Sequence, residues 1–170
     1  MKIYLDGDGP IQDFAAWMDE EGIPLGYGRE DTERMFHERL DRVFLDSPAS
    51  KYCRYFFDLY CAMSLLDHQV HVLTAVGDHW PNQYDKMQAM QNKMDALVVL
   101  GFEPDDIIIV DSGSDKIPFA IDDEGRPAVL YDDKWSTIKK WEEAGGLGFF
   151  VPECGLKHNE AGIDNHTPEG

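Results

Sequence analysis

Ile3-Tyr4-Leu5-Asp6-Gly7-Asp8-Gly9-Pro10 is the stretch on which the reading of this chain turns. An apolar run leads straight into two acids separated by glycine, which is the pattern of a short buried strand opening into a tight loop. Glycine at 7 and 9 lets such a loop bend closely around a ligand, while Pro10 removes a backbone donor from it. Just beyond, Phe14, Trp17 and Met18 recur at helical spacing between Ile11 and Glu21, and Gly22 ends the run. The opening unit is strand, loop, helix.

Working outward, two more helical patterns follow: Arg29 to Asp46, with Met35, Leu40, Val43 and Phe44, and Ser50 to Asp67, with Tyr55, Phe56, Leu59, Met63 and Leu66. Val70-His71-Val72-Leu73-Thr74 predicts a second strand, then Gly77-Asp78 and a polar-rich helix from Pro81 to Leu100. Ile107-Ile108-Ile109-Val110 predicts a third strand, ending at Asp111-Ser112-Gly113. Ala128-Val129-Leu130-Tyr131 predicts a fourth, leading into Asp132-Asp133 and a helix through Trp135, Ile138, Trp141 and Ala144. Gly145-Gly146 stops that helix, and Leu147 to Val151 is a fifth strand. Asp122-Asp123-Glu124-Gly125-Arg126 reads as a hairpin tip or exposed turn. Apolar strands alternating with helices predict an α/β fold, a three-layer, doubly wound arrangement around a five-stranded parallel sheet.

A chain of 170 residues encloses one real core, so one domain is expected, with an insert where helices delay the second strand. The 15 basic against 33 acidic residues give a formal charge of −18, which removes the usual electrostatic basis for binding long DNA or RNA. A small phosphorylated substrate stays compatible, because a divalent cation in an acidic cleft inverts the local potential. Cys53, Cys61 and Cys154 have no CxxC spacing and are expected as reduced, mostly buried thiols. An acid arrives at Asp6 before any long apolar run, so no signal peptide or membrane span is expected, and the location follows as cytoplasmic. Gly155 to Gly170, with His158 and His166, is expected as a mobile, solvated tail.

In an open parallel sheet, ligands sit beyond the carboxyl ends of the strands, near the point where the strand order reverses. The predicted strands deliver Asp6 and Asp8, Thr74, then Lys116 through the third, and finally Asp132 and Asp133 to those ends. Converging carboxylates raise one another's pKa, and a cation relieves the repulsion. Oxygen-only ligands (Asp6, Asp8, Asp132, Asp133) without Cys or His favour Mg²⁺. Lys116 would add positive charge for a phosphate and Thr74 would hold its oxygens. Asp6 could then attack phosphorus, with Asp8 as general acid and afterwards as base. Each piece also has a plain reading: a solvated turn at Asp6-Gly7-Asp8, a structural Thr74, a surface Lys116, and Asp132-Asp133 as a helix cap.

Read in order, these segments resemble the motifs of the haloacid dehalogenase superfamily. Ile3 to Gly9 is similar to the first motif, Val72-Leu73-Thr74 to the second, Ser114-Asp115-Lys116 to the third, and Val129 to Asp133 to the fourth. Within it, Asp13-Phe14, Asp132-Asp133 and Trp141-Glu142-Glu143-Ala144-Gly145-Gly146 resemble the cytosolic-type 5'(3')-deoxyribonucleotidases and their phage and bacterial relatives. The resemblance implies a Rossmann-like core at 1–13 and 68–154 and a helical cap at 14–67. It also implies Mg²⁺-dependent hydrolysis of a nucleoside monophosphate through an aspartyl-phosphate on Asp6, with Phe14, Tyr55 or Phe56 as aromatics against a base or in the core. Another small phosphate, a 3'-phosphate nucleic-acid end, or a catalytically silent binding module are the alternatives.

Overall fold

The computed structural model describes residues 1–23 and 28–152; the predicted tail at 155–170, with His158 and His166, and the thiol of Cys154 lie outside the described residues. In chain order the main elements are β1 (Lys2–Leu5), α1 (Phe14–Glu20), α2 (Arg29–Glu38), α3 (Cys53–Leu65), β2 (Gln69–Ala75), α4 (Gln83–Val99), β3 (Ile107–Val110), a 3-10 helix (Gly113–Ala120), β4 (Val129–Asp132), α5 (Trp135–Glu143) and β5 (Leu147–Phe150). The sheet runs β3-β2-β1-β4-β5, with every neighbouring pair parallel. This is the predicted α/β class with its five-stranded parallel sheet.

Alternation along the strands explains the layers. Ile3, Leu5, Val70, Val72 and Val129 face a cluster completed by Phe56 and Tyr60 of α3, Leu97 of α4, and Phe102. Tyr4, Leu73 and Leu130 point the other way, onto Ala120, Ile138 and Trp141. Both faces are therefore covered, as a parallel sheet requires. Asn82 caps α4 by accepting the Asp85 amide at 2.9 Å, and Asp13 caps α1 by accepting the Ala16 amide at 3.0 Å.

The region expected as a cap divides by packing. α3 forms part of the layer on the sheet, whereas α1, α2 and the turns after α2 gather Trp17, Met18, Phe36, Val43 and Phe44 against Val76, Trp80 and Ala89. Helix α2 stops at Glu38 instead of continuing to Asp46. The chain turns there because Phe44 is drawn into the aromatic cluster at φ +65°, while Asn92 of α4 donates to the carbonyls of Leu40 and Val43 at 2.8 and 3.2 Å. Phe56, one of the aromatics proposed for a base, is buried in the core at 3% exposure. Cys53 is half-buried and Cys61 is exposed, contrary to the expectation of buried thiols, because Cys61 falls on the outer side of α3. Asp122 to Arg126 is the expected turn, closed by the Ile121–Pro127 bridge and by Asp122 accepting the Glu124 and Arg126 amides at 2.9 Å.

Trp141 shows how tightly α5 meets the sheet. Its indole is fully buried, and Nε1 donates to the Ala128 carbonyl at 3.0 Å. A Cβ on Gly146 would stand 2.2 Å from that nitrogen, so the Gly145-Gly146 pair has a packing reason beyond ending the helix. Gly146→Ala is expected to lower stability by about 1–3 kcal/mol through overpacking, read as a reduced urea midpoint with an unchanged m-value.

Candidate active site

β1 lies between β2 and β4, and the chain builds β2 and β3 on one side before crossing to β4 and β5 on the other. The order therefore reverses between β1 and β4, where a parallel sheet opens a crevice at its carboxyl edge. Asp6 leaves β1 at that edge, anchored by its amide donating to the Tyr131 carbonyl at 2.9 Å. Asp132 is the last residue of β4 and Asp133 follows it. Carboxylate oxygens of Asp6, Asp132 and Asp133 lie within 4.8 Å of one another, and all three side chains are buried.

Lys116, expected at this edge, enters the group from the 3-10 helix Gly113–Ala120, an element that the apolar runs do not mark. Its ammonium stands 2.9 Å from Asp6 Oδ1 and 2.8 Å from Asp132 Oδ2, and the residue is 3% exposed. Ser112 and Asp115 close a capping box at the start of that helix and so set the position of Lys116. Asp132 Oδ1 also accepts the Lys134 amide at 2.8 Å. Among the described residues no donor hydrogen-bonds to the Asp133 carboxylate, leaving it the freest of the three for a cation.

The electrostatics follow from burial. Desolvation, reinforced by Asp6, pushes Asp132 up to about 6 against the pull of Lys116 and the Lys134 amide. Desolvation and then the charges of Asp132, Asp6 and Asp8 hold Asp133 well above the usual carboxylate range. For Lys116, burial alone would lower the ammonium, but Asp132 and Asp6 outweigh it and hold the lysine above its ordinary value.

Thr74 stands beside this group: a Cβ on Gly7 would meet Thr74 Oγ1 at 2.8 Å. That hydroxyl is fully buried, and among the described residues neither it nor Asp8 Oδ1 has a hydrogen-bond partner. Orphaned buried polar atoms converging on one crevice are what a bound oxyanion and cation would satisfy. Gly9 passes against Asp133 at φ +102°, where a Cβ would be 2.4 Å from Asp133 Cγ, so both the backbone conformation and the space require glycine. The Gly9 amide donates to the Gln12 carbonyl at 2.6 Å and so serves the loop itself.

Asp8 behaves differently from the expectation that it joins the metal carboxylates. Its side chain lies outside the Asp6, Asp132 and Asp133 group and pairs with Lys93 of α4, Oδ2 to Nζ at 2.6 Å. Burial raises the Asp8 carboxyl, with Lys93 opposing and Asp6 adding to the rise. Lys93 was absent from the sequence reading, although its spacing of four from Ala89 and from Leu97 marks the buried stripe of α4. An open cleft of about 320 Å³ between α2 and the start of α4 is lined by Glu30, Glu33, Arg34, His37, Pro81 and Asn82, and none of the predicted site residues borders it.

No family model matches the sequence, and no curated protein matches it. Among solved structures, the chain is similar to a haloacid dehalogenase-like hydrolase from Burkholderia xenovorans LB400, at 15% identity and a TM-score of 0.41, over 98% of this chain and 89% of that one. At that depth the likeness adds nothing to the geometry, and any functional reading rests on the residues themselves.

Because Asp132 rises from 3.8 to about 6, the folded state binds its proton more tightly than the unfolded state does. The stability this group contributes is present below about pH 4 and lost as pH rises through about 6. Metal-free protein in EDTA is expected to gain melting temperature as the buffer goes from about pH 7 to about pH 5, and Asp132→Asn is expected to flatten that gain, both read by differential scanning fluorimetry.

Proposed function

We propose that this chain is a phosphomonoester hydrolase of the haloacid dehalogenase type, dependent on Mg²⁺ and using Asp6 as its nucleophile. The observation that carries the reading is Lys116 bridging Asp6 and Asp132 in a buried carboxylate group at the β1/β4 crossing. A nucleophile held against an ammonium at the carboxyl edge of a parallel sheet is suited to an anionic substrate.

A hard divalent cation fits the donor set, since Asp6, Asp132 and Asp133 offer only carboxylate oxygens and their mutual repulsion asks for positive charge. Asp6 and Asp133 would hold it, with Asp132 engaged by Lys116 and the Lys134 amide. When bound, Mg²⁺ supplies charge neutralisation for the phosphoryl oxygens. The chain's own residues do the rest. Asp6 forms a bond to phosphorus as the ester P–O bond breaks, and the leaving oxygen takes a proton from Asp8. Water then gives a proton to Asp8 and attacks the same phosphorus, releasing inorganic phosphate and restoring Asp6. Lys116, paired with Asp6, neutralises the phosphoryl charge, and the Thr74 hydroxyl donates to a phosphoryl oxygen.

For the substrate we read a small phosphomonoester, a deoxynucleoside monophosphate being what the sequence resemblance implies. The formal charge of −18 supports a small molecule over a long nucleic acid. Of the aromatics first considered for a base, Tyr55 is 59% exposed, while Phe14 is half-buried and stacks on Trp17 at 5.4 Å between centroids. Among the described residues no helix is long and apolar enough to cross a membrane, and a cytoplasmic location belongs to this proposal.

Phosphate release from a panel of nucleoside monophosphates and sugar phosphates, with and without Mg²⁺, tests the reading. Release that needs Mg²⁺ and falls by roughly 10³-fold or more in Asp6→Asn is expected. A folded, Mg²⁺-binding wild type that releases nothing from any member would turn the reading to a silent binding module. Asp133→Asn is expected to raise the melting temperature of metal-free protein at pH 7, by removing a like charge, and to abolish the further rise on adding Mg²⁺.

A further inference from the structure

Lys93 sits in the middle of α4 with no exposed surface on its side chain, 0%. A lysine usually carries its ammonium out to water along its stem, and full burial persists only where the charge is paired. Two groups meet this one: Asp8 Oδ2 at 2.6 Å, and the Phe44 ring with its centroid 4.0 Å from Nζ.

Each neighbour is itself anchored. Phe44 holds φ +65°, a conformation that bulky residues rarely adopt, and its carbonyl accepts from Gln12 Nε2 at 3.2 Å. Asn92, next to Lys93, ties the turn before Phe44 to α4 through the Leu40 and Val43 carbonyls. Gln12 belongs to the same loop as Asp8 and pairs with it in backbone register. The active-site loop, the segment before Phe44 and α4 thus enclose one ammonium. On the other side of the pair, Asp8 Oδ1 is buried without a hydrogen-bond partner among the described residues.

We infer that Lys93 is a positioning residue for Asp8, holding one carboxylate oxygen so that the other meets the leaving-group oxygen and then the attacking water. This rests on the phosphatase reading above and gives that site a residue no motif supplied. The Phe44 segment becomes part of the same clamp, so the helical insert between β1 and β2 bears on the proton-transfer group directly.

Phenyl phosphate and 4-nitrophenyl phosphate separate this role from a structural one. Both pass the same phosphoryl group to Asp6 and release a phenol, but phenol needs the Asp8 proton as the P–O bond breaks, whereas 4-nitrophenol leaves readily without it. The ratio kcat/KM covers each reaction up to the loss of that phenol. In Mg²⁺ buffer, Lys93→Met is expected to lose roughly 10²-fold or more on phenyl phosphate and under about tenfold on 4-nitrophenyl phosphate. On the best substrate of the panel, Asp8→Asn and the Asp8→Asn/Lys93→Met pair are expected to agree within about threefold, since Lys93 acts through Asp8. The double variant carries no charge at that pair, so this comparison stands even where Lys93→Met alone does not fold. Equal losses on both aryl esters in folded Lys93→Met, or a further loss in the double variant, would overturn the clamp and leave the Asp6 chemistry intact. Absence of phosphate from wild type on every ester would overturn the phosphatase reading and the clamp with it.

Discussion

Asp6, Asp132 and Asp133 bring like charges within 4.8 Å of one another in a buried crevice, and much of the surrounding structure is arranged around that repulsion. Two buried lysines meet it from opposite directions. Lys116 pairs with Asp6 and Asp132 inside the group, and Lys93 pairs with Asp8 beside it. Removing one partner from a buried pair costs about 3–5 kcal/mol, because it strands the other charge away from water. Neither lysine answers Asp133, whose carboxyl burial holds high. The protein's own cations thus leave one buried carboxyl without a counter-charge, which a divalent ion would supply.

Ordinary packing delivers these groups. The β1 and β4 strands are adjacent, so residues separated by more than a hundred positions leave the sheet side by side. Gly9 lets the first loop run against Asp133, and the 3-10 helix carries Lys116 over the same edge. The aromatic cluster of α1, α2 and Trp80 supplies the wall that holds Phe44 over Lys93. Stability and chemistry share residues here: Phe44 is core to the helical insert and also a face of the Lys93 pocket.

Short apolar runs make all five strands legible in the sequence, and their alternation with helices gives the parallel sheet. Helix ends were less legible where tertiary contacts decide them. Nothing local ends α2 at Glu38; Phe44 entering the aromatic cluster and Asn92 reaching the Leu40 and Val43 carbonyls do so. Likewise α3 shows an amphipathic pattern that fits a cap or a sheet-covering layer equally, and only tertiary packing places Phe56 in one core cluster with Val70 and Val72. The Gly146 that follows Trp141 has a packing cause, since the indole occupies the space a side chain at 146 would need.

The sequence by itself determined the strand ends and therefore the row of polar residues along them: Asp6, Thr74, Asp132 and Asp133 are set there by hydrophobic runs that stop where they do, while Lys116 needs the 3-10 helix to reach them. Tertiary structure alone decided how those residues divide the work. Asp132 is taken up by Lys116 and the Lys134 amide while Asp133 is left open, a distinction that adjacent, chemically identical residues cannot show in one dimension. It also decided that Asp8 turns from its neighbouring acids to Lys93, because that ammonium, 85 positions away in the chain, is 2.6 Å away in space. Spacing fixes which side of an element a residue takes; which opposite charge waits there is settled only when distant segments meet.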